Sequence, residues 1–223
     1  MKSILLILLL AACTPEQKTL PPIESVPVEA SEPEYCDPKT FLSLETKFKA
    51  KDIDNAHLFK LGKVNLLGVA VGASDTEALV SFAKAYGTAE ASKKYCTWYF
   101  NSGDIKAQKT FHHIYVSKPD DFDDRKDYLT LKSEFASFAS CATDQGYLAM
   151  GCNGMKHRGP TVFGMLLAYS GCKPERAAQI VNTIWGLNGI KPEVRLAIIK
   201  DAFTMGENNK DIRLNLREAF EGK

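Results

Sequence analysis

The chain has 223 residues, 45% of them hydrophobic and 25% charged, with 28 Lys and Arg against 27 Asp and Glu. These fractions are those of an ordinary globular protein and exclude wholesale disorder and collagen-like repeats. A net charge near zero removes the electrostatic footprint expected of a nucleic-acid binder, and the length allows one domain or two.

The averages conceal regions of different character. Lys2 precedes the run Ile4–Leu10, which closes in Leu10-Ala11-Ala12-Cys13. About 7–15 apolar residues behind a positive start are a signal-peptide core, too short to cross a bilayer as a helix. The Leu-Ala-Ala-Cys pattern resembles the lipobox of bacterial lipoproteins, over residues 1–13 only. The resemblance implies that residues 1–12 are removed and that Cys13 is acylated, palmitate included, so the membrane is contacted through an N-terminal lipid. Thr14 stands where an Asp holds many lipoproteins in the inner membrane. The same resemblance therefore implies an outer-membrane anchor in a bacterial envelope, with the body facing the periplasm.

Residues 14–38 hold six of the ten prolines and six acids against one base, Lys18, for a charge of −5. Such a segment has little to bury, and proline withholds backbone donors, so residues 13–38 are expected to form a lipidated, extended acidic tether. In polyproline-II form, 25 residues at about 3.1 Å each reach roughly 75 Å. The remainder, residues 39–223, carries +5.

This remainder reads as strands first and helices after. Gly62–Gly72 is an apolar, β-prone segment closed by glycine and is predicted to be a buried strand. Ser74-Asp75-Thr76-Glu77 forms a capping box for a helix whose stripe is Leu79, Phe82, Ala83 and Tyr86. No G-x-G-x-x-G or P-loop pattern accompanies it. Tyr95–Phe100 and Thr110–Val116 are β-prone segments flanking the turn Asn101-Ser102-Gly103-Asp104, and pairing as a hairpin is expected. Asp120, Asp121, Asp123, Asp124 and Asp127 crowd a helix start, where acids complement the dipole. Tyr128, Leu131, Phe135, Phe138 and Ala142 give that helix one buried face.

From Gly159-Pro160 onward the punctuation is helical, with Gly-Cys-Lys-Pro-Glu at 171–175 and Gly-Ile-Lys-Pro-Glu at 189–193. Proline suits a first helical turn and glycine a helix end. Ile212, Leu216 and Phe220 mark a last helix. The expected fold class is α+β: a small antiparallel or mixed sheet with packed helices over 39–158, then an all-helical part over 159–223.

Beyond Cys13, the chain holds Cys36, Cys96, Cys141, Cys152 and Cys172, which in an oxidising compartment are disulfide candidates. Five cysteines allow two bonds and one free thiol, in fifteen arrangements. Loop lengths make pairing among Cys141, Cys152 and Cys172 easy, and a Cys36–Cys96 bond would tie the tether to the sheet. No C-x-x-C occurs, which argues against thioredoxin-like chemistry.

Catalytic candidates are few. Gly151-Cys152-Asn153-Gly154 is loosely similar to the nucleophile segment of NlpC-type cell-wall peptidases, with Asn153 where Ser is usual. The resemblance implies a Cys-dependent peptide hydrolase, with His112 or His113 as the base. A disulfide at Cys152 would abolish it, and a structural cysteine is the simpler expectation. Adjacent His112 and His113 face opposite sides of a strand and cannot share one metal, so no metal site and no cofactor is expected. The leading functional expectation is an envelope lipoprotein acting as a binding or assembly component toward a protein or peptidoglycan partner, rather than an enzyme. A small-molecule binder with a cleft between sheet and helices is a weaker one.

Overall fold

The computed structural model describes residues 31–46, 55–70, 96–100, 112–116, 124–152 and 154–223. The signal and lipobox segment, the capping box at Ser74–Glu77 with its helix, the turn at 101–104, and Asp120, Asp121 and Asp123 lie outside these residues.

Of the strand predicted over Gly62–Gly72, Val64–Ala70 are extended, and Gly62 and Lys63 form a turn that joins them to a preceding strand not expected from sequence. Gly62 takes φ +51°, and the chain reverses from β1 (His57–Leu61) into β2 (Val64–Ala70) as an antiparallel hairpin with Leu61 opposite Val64. A two-residue turn of this kind needs positive φ, which glycine adopts without strain. A Cβ on Gly62 would in any case lie 2.3 Å from the backbone nitrogen of Gly222. With three further strands, β3 (Cys96–Phe100), β4 (His112–Val116) and β5 (Tyr147–Cys152), the described residues form a five-stranded mixed sheet of order β1-β2-β5-β3-β4.

β3 and β4 do not form the expected hairpin: they run parallel, with Cys96 beside His112 and Phe100 beside Val116. Side-chain type marks a segment as β-prone but carries no strand direction. Direction was decided by β5, which runs parallel to both β2 and β3 and occupies the centre of the sheet. β5 itself, Tyr-Leu-Ala-Met-Gly-Cys, contains no β-branched residue, and neighbours on both sides make it a strand.

The folded body begins earlier than residue 39. Glu34–Cys36 form a 3-10 turn with Tyr35 and Cys36 buried, and α1 spans Pro38–Ser43. Asp37 caps α1 by accepting the Lys39 and Thr40 N–H groups at 3.0 Å, and Pro38 is the first helical residue. The last prolines and acids of the apparent tether are thus helix-start signals. Glu32–Lys223 form one compact unit.

The helix expected from the aspartate cluster is two helices, α2 (Arg125–Leu129) and α3 (Lys132–Gln145), with the break at Thr130 and Leu131. At the start of α2, the Asp124 N–H donates to the Asp127 carboxylate at 3.0 Å. Tyr128, Phe135 and Phe138 are still buried, the last two against Trp98 of β3.

The C-terminal part is helical: α4 (Arg158–Ser170), α5 (Pro174–Trp185), α6 (Pro192–Asn208) and α7 (Lys210–Glu221). Every residue of α4 from Gly159 to Ser170 is buried, which matches an apolar sequence with no polar face. It packs against β5 on one side and against α5, α6 and α7 on others, so it joins the sheet to the bundle. The fold is α+β. Among the described residues, no helix is long and apolar enough to cross a membrane.

Candidate functional site

The two disulfides are Cys36–Cys172 and Cys96–Cys141, and Cys152 is a free thiol. Neither bond is one that loop length favoured. Cys36 reaches Cys172 because the 3-10 turn packs beside the corner between α4 and α5, where Tyr35 donates a hydrogen bond to Ser170 Oγ at 3.0 Å. Cys96–Cys141 pins α3 to β3. Proximity in the chain lost to proximity in the packed body.

Cys152 ends β5 and is 3% exposed. Its strand neighbours are Ala70 and Phe100, whereas His112 pairs with Cys96 at the opposite end of β3. His112 and His113 therefore lie three to four residues back along the strands and two strands across. Their backbone positions are thus roughly 10–13 Å along and about 9.6 Å across from that of Cys152. The backbone register does not set Cys152 beside His112 or His113. Among the described residues no group of three or more His, Cys, Asp or Glu could hold a metal ion.

What does converge lies beyond the end of β5. The turn into α4 is tight: the Cys152 carbonyl accepts the Met155 N–H at 3.3 Å, and buried Met155 takes φ +46°. A left-handed, fully buried methionine is strained, and the surroundings hold it there. Asn55, itself at φ +52°, donates to the Gly154 carbonyl at 3.1 Å and accepts from Trp185 Nε1 at 3.2 Å. The Asn188 N–H donates to the Lys156 carbonyl at 2.9 Å, and Gly189, at φ +83°, lies so close to His157 that a Cβ would be 2.5 Å from the ring. The β5–α4 turn and the α5–α6 loop are thereby fastened together.

Arg195, in the first turns of α6, completes this junction. It is 4% exposed, and its Nε donates to Thr161 Oγ1 and its Nη2 to the Asn188 carbonyl, each at 3.2 Å. Thr161 Oγ1 in turn donates to the His157 carbonyl at 3.0 Å. Burial holds the Arg195 pKa below the ordinary arginine value, with the nearby Tyr128 hydroxyl opposing that shift. The signal for Arg195 was present in the sequence: it precedes Ile198, Ile199, Ala202 and Met205 on the apolar stripe of α6, a cation where the pattern asks for a hydrophobe.

A cavity of about 670 Å³ adjoins Arg195 between α5, α6 and the loop 186–191. It lies within the helical part, not between sheet and helices. Glu175 at its edge pairs with Lys200 at 3.1 Å; its own backbone N–H first, and then that ammonium, hold its carboxyl below the usual range.

No protein-family model, curated protein or solved structure matches the chain.

Proposed function

We propose that the chain is a lipid-anchored bacterial envelope lipoprotein whose body acts as a binding or assembly component toward a protein or peptidoglycan partner. The observation that supports this most is the Cys36–Cys172 bond, which fastens the root of the acidic segment to the corner between α4 and α5. Two disulfides suit an oxidising compartment, consistent with export behind the signal-like start. A covalent root also suits a body held at the end of a tether, because a pull on the N-terminal arm is carried into the bundle rather than peeling off α1.

With the folded unit starting at Glu32, the arm between Cys13 and the body is residues 14–31. The outer membrane, facing the periplasm, is the proposed address, on the strength of Thr14 after the lipidated Cys13.

Metabolic labelling with a palmitate analogue tests the anchor. Labelled wild type in the membrane fraction is expected, with label and membrane association both lost in Cys13→Ser. Equal labelling of the two would refute it. In-cell crosslinking of the anchored chain is expected to recover a specific envelope component, and recovery of bulk membrane proteins alone would refute the assembly role.

A further inference from the structure

Among the described residues, Arg195 is the one buried charged side chain. It has no carboxylate partner there; its two acceptors, Thr161 Oγ1 and the Asn188 carbonyl, are neutral. A guanidinium carries five N–H donors, and among the described residues two of them meet an acceptor. Removing a cation from water without a counter-ion is expensive, and proteins rarely retain one unless an anion compensates it.

The cavity beside Arg195 has the composition to receive that anion. Its walls include Leu187, Ile190 and Leu196, and Lys191 stands at its rim as the residue that precedes the first turn of the 17-residue α6. Backbone N–H groups at this end of a long helix and the Lys191 ammonium both favour negative charge. The single acid on the lining, Glu175, is neutralised by Lys200. Gln179 and Asn182 at the opening offer amide donors from α5. The walls are preformed, because the loop is tied to Lys156 and seated on His157.

We propose that this cavity binds a small organic anion, whose carboxylate or phosphate group pairs with the Arg195 guanidinium while its apolar part lies on Leu187, Ile190 and Leu196. The planar fork of arginine fits either oxyanion in a two-point contact. The apolar walls add contacts for an organic ligand beyond the head-group contacts that a bare oxyanion makes. The site owes nothing to lipidation, so its failure would leave the anchor untouched, and the reverse.

The test is equilibrium dialysis of the full chain in detergent with two radiolabelled probes in separate arms, inorganic phosphate and N-acetyl-leucine. Saturable binding at one site per chain is expected in at least one arm, and the arm that saturates identifies the head group. Arg195→Gln should weaken that binding at least tenfold, and Lys191→Gln, an exposed position, two- to fivefold. Near-UV circular dichroism reports whether each variant is folded. Absence of saturable binding of both probes to wild type overturns the proposal. So does wild-type affinity in folded Arg195→Gln, or in Lys191→Gln where Arg195→Gln fails to fold.

Discussion

Gly206 of α6 lies directly against Tyr169 of α4: a Cβ at position 206 would sit 2.4 Å from the Tyr169 carbonyl oxygen and 3.2 Å from its Cα. The obstacle is backbone, which cannot swing aside. One helical turn after another, the same two helices meet again where a Cβ on Gly164 would lie 2.7 Å from Ile199 Cδ1. Two glycines, one on each helix, set the closeness of the α4–α6 crossing.

Gly206→Ala is therefore expected to destabilise the protein by about 1–3 kcal/mol, despite alanine's better helix propensity, because overpacking against backbone outweighs the propensity gain. Gly154→Ala, with nothing within 4 Å of the added carbon, is the matched control and should change little. Urea unfolding of the two variants checks this; equal midpoints would contradict the crossing geometry.

The Cys36–Cys172 bond spans 136 residues of sequence and the Cys96–Cys141 bond 45. In the chain-entropy account the longer loop is worth about 1 kcal/mol more. Replacing Cys36 and Cys172 by Ala should cost about 3–5 kcal/mol, and replacing Cys96 and Cys141 about 2–4 kcal/mol. For a folded unit of this size the first should lower the melting midpoint by about 10 °C, measured by calorimetry without reductant. A shift under about 2 °C would show that the bond constrains little.

Cys152 is buried at 3% exposure, so native protein should resist alkylation at that thiol. In denaturant without reductant, mass spectrometry should find Cys152 as the one labelled cysteine of residues 31–223. Fast labelling in the native state would instead mean that the end of β5 opens to solvent.

Tyr35 has its pKa raised by burial, against the Ser170 hydrogen bond, which lowers it. Burial likewise raises that of Tyr169. Native tyrosines that stay protonated favour the fold below the unfolded value of about 10, and that contribution is lost as pH rises beyond it. Urea midpoints should therefore fall from about pH 10 upward. In a Cys152→Ala background, which removes the thiol able to reshuffle the disulfides, Tyr35→Phe should flatten that fall. The same change should cost about 1 kcal/mol at neutral pH through the lost bond to Ser170. An unchanged alkaline slope would take Tyr35 out of the transition.

Much of the helical part was legible because its signals are local. Pro174 and Pro192 stand at the first positions of α5 and α6, and Gly171, Gly186 and Gly222 end α4, α5 and α7, as their conformational limits require. The buried Phe135 and Phe138 followed from spacing alone. Arg195 is legible as a charge on an apolar stripe, but what that charge meets depends on the α5–α6 loop, which no spacing reveals.

The sequence by itself determined the kind of chain this is: α+β, an acidic arm ahead of a mildly basic body, helices that start at proline and stop at glycine. Those features rest on φ limits, capping and periodicity, which act within a few residues. Only the tertiary structure decided strand direction, the central place of β5, the pairing of Cys36 with Cys172, and the separation of Cys152 from His112 and His113. Each of these is a contact between distant segments, and packing in three dimensions, not distance along the chain, selects its partner.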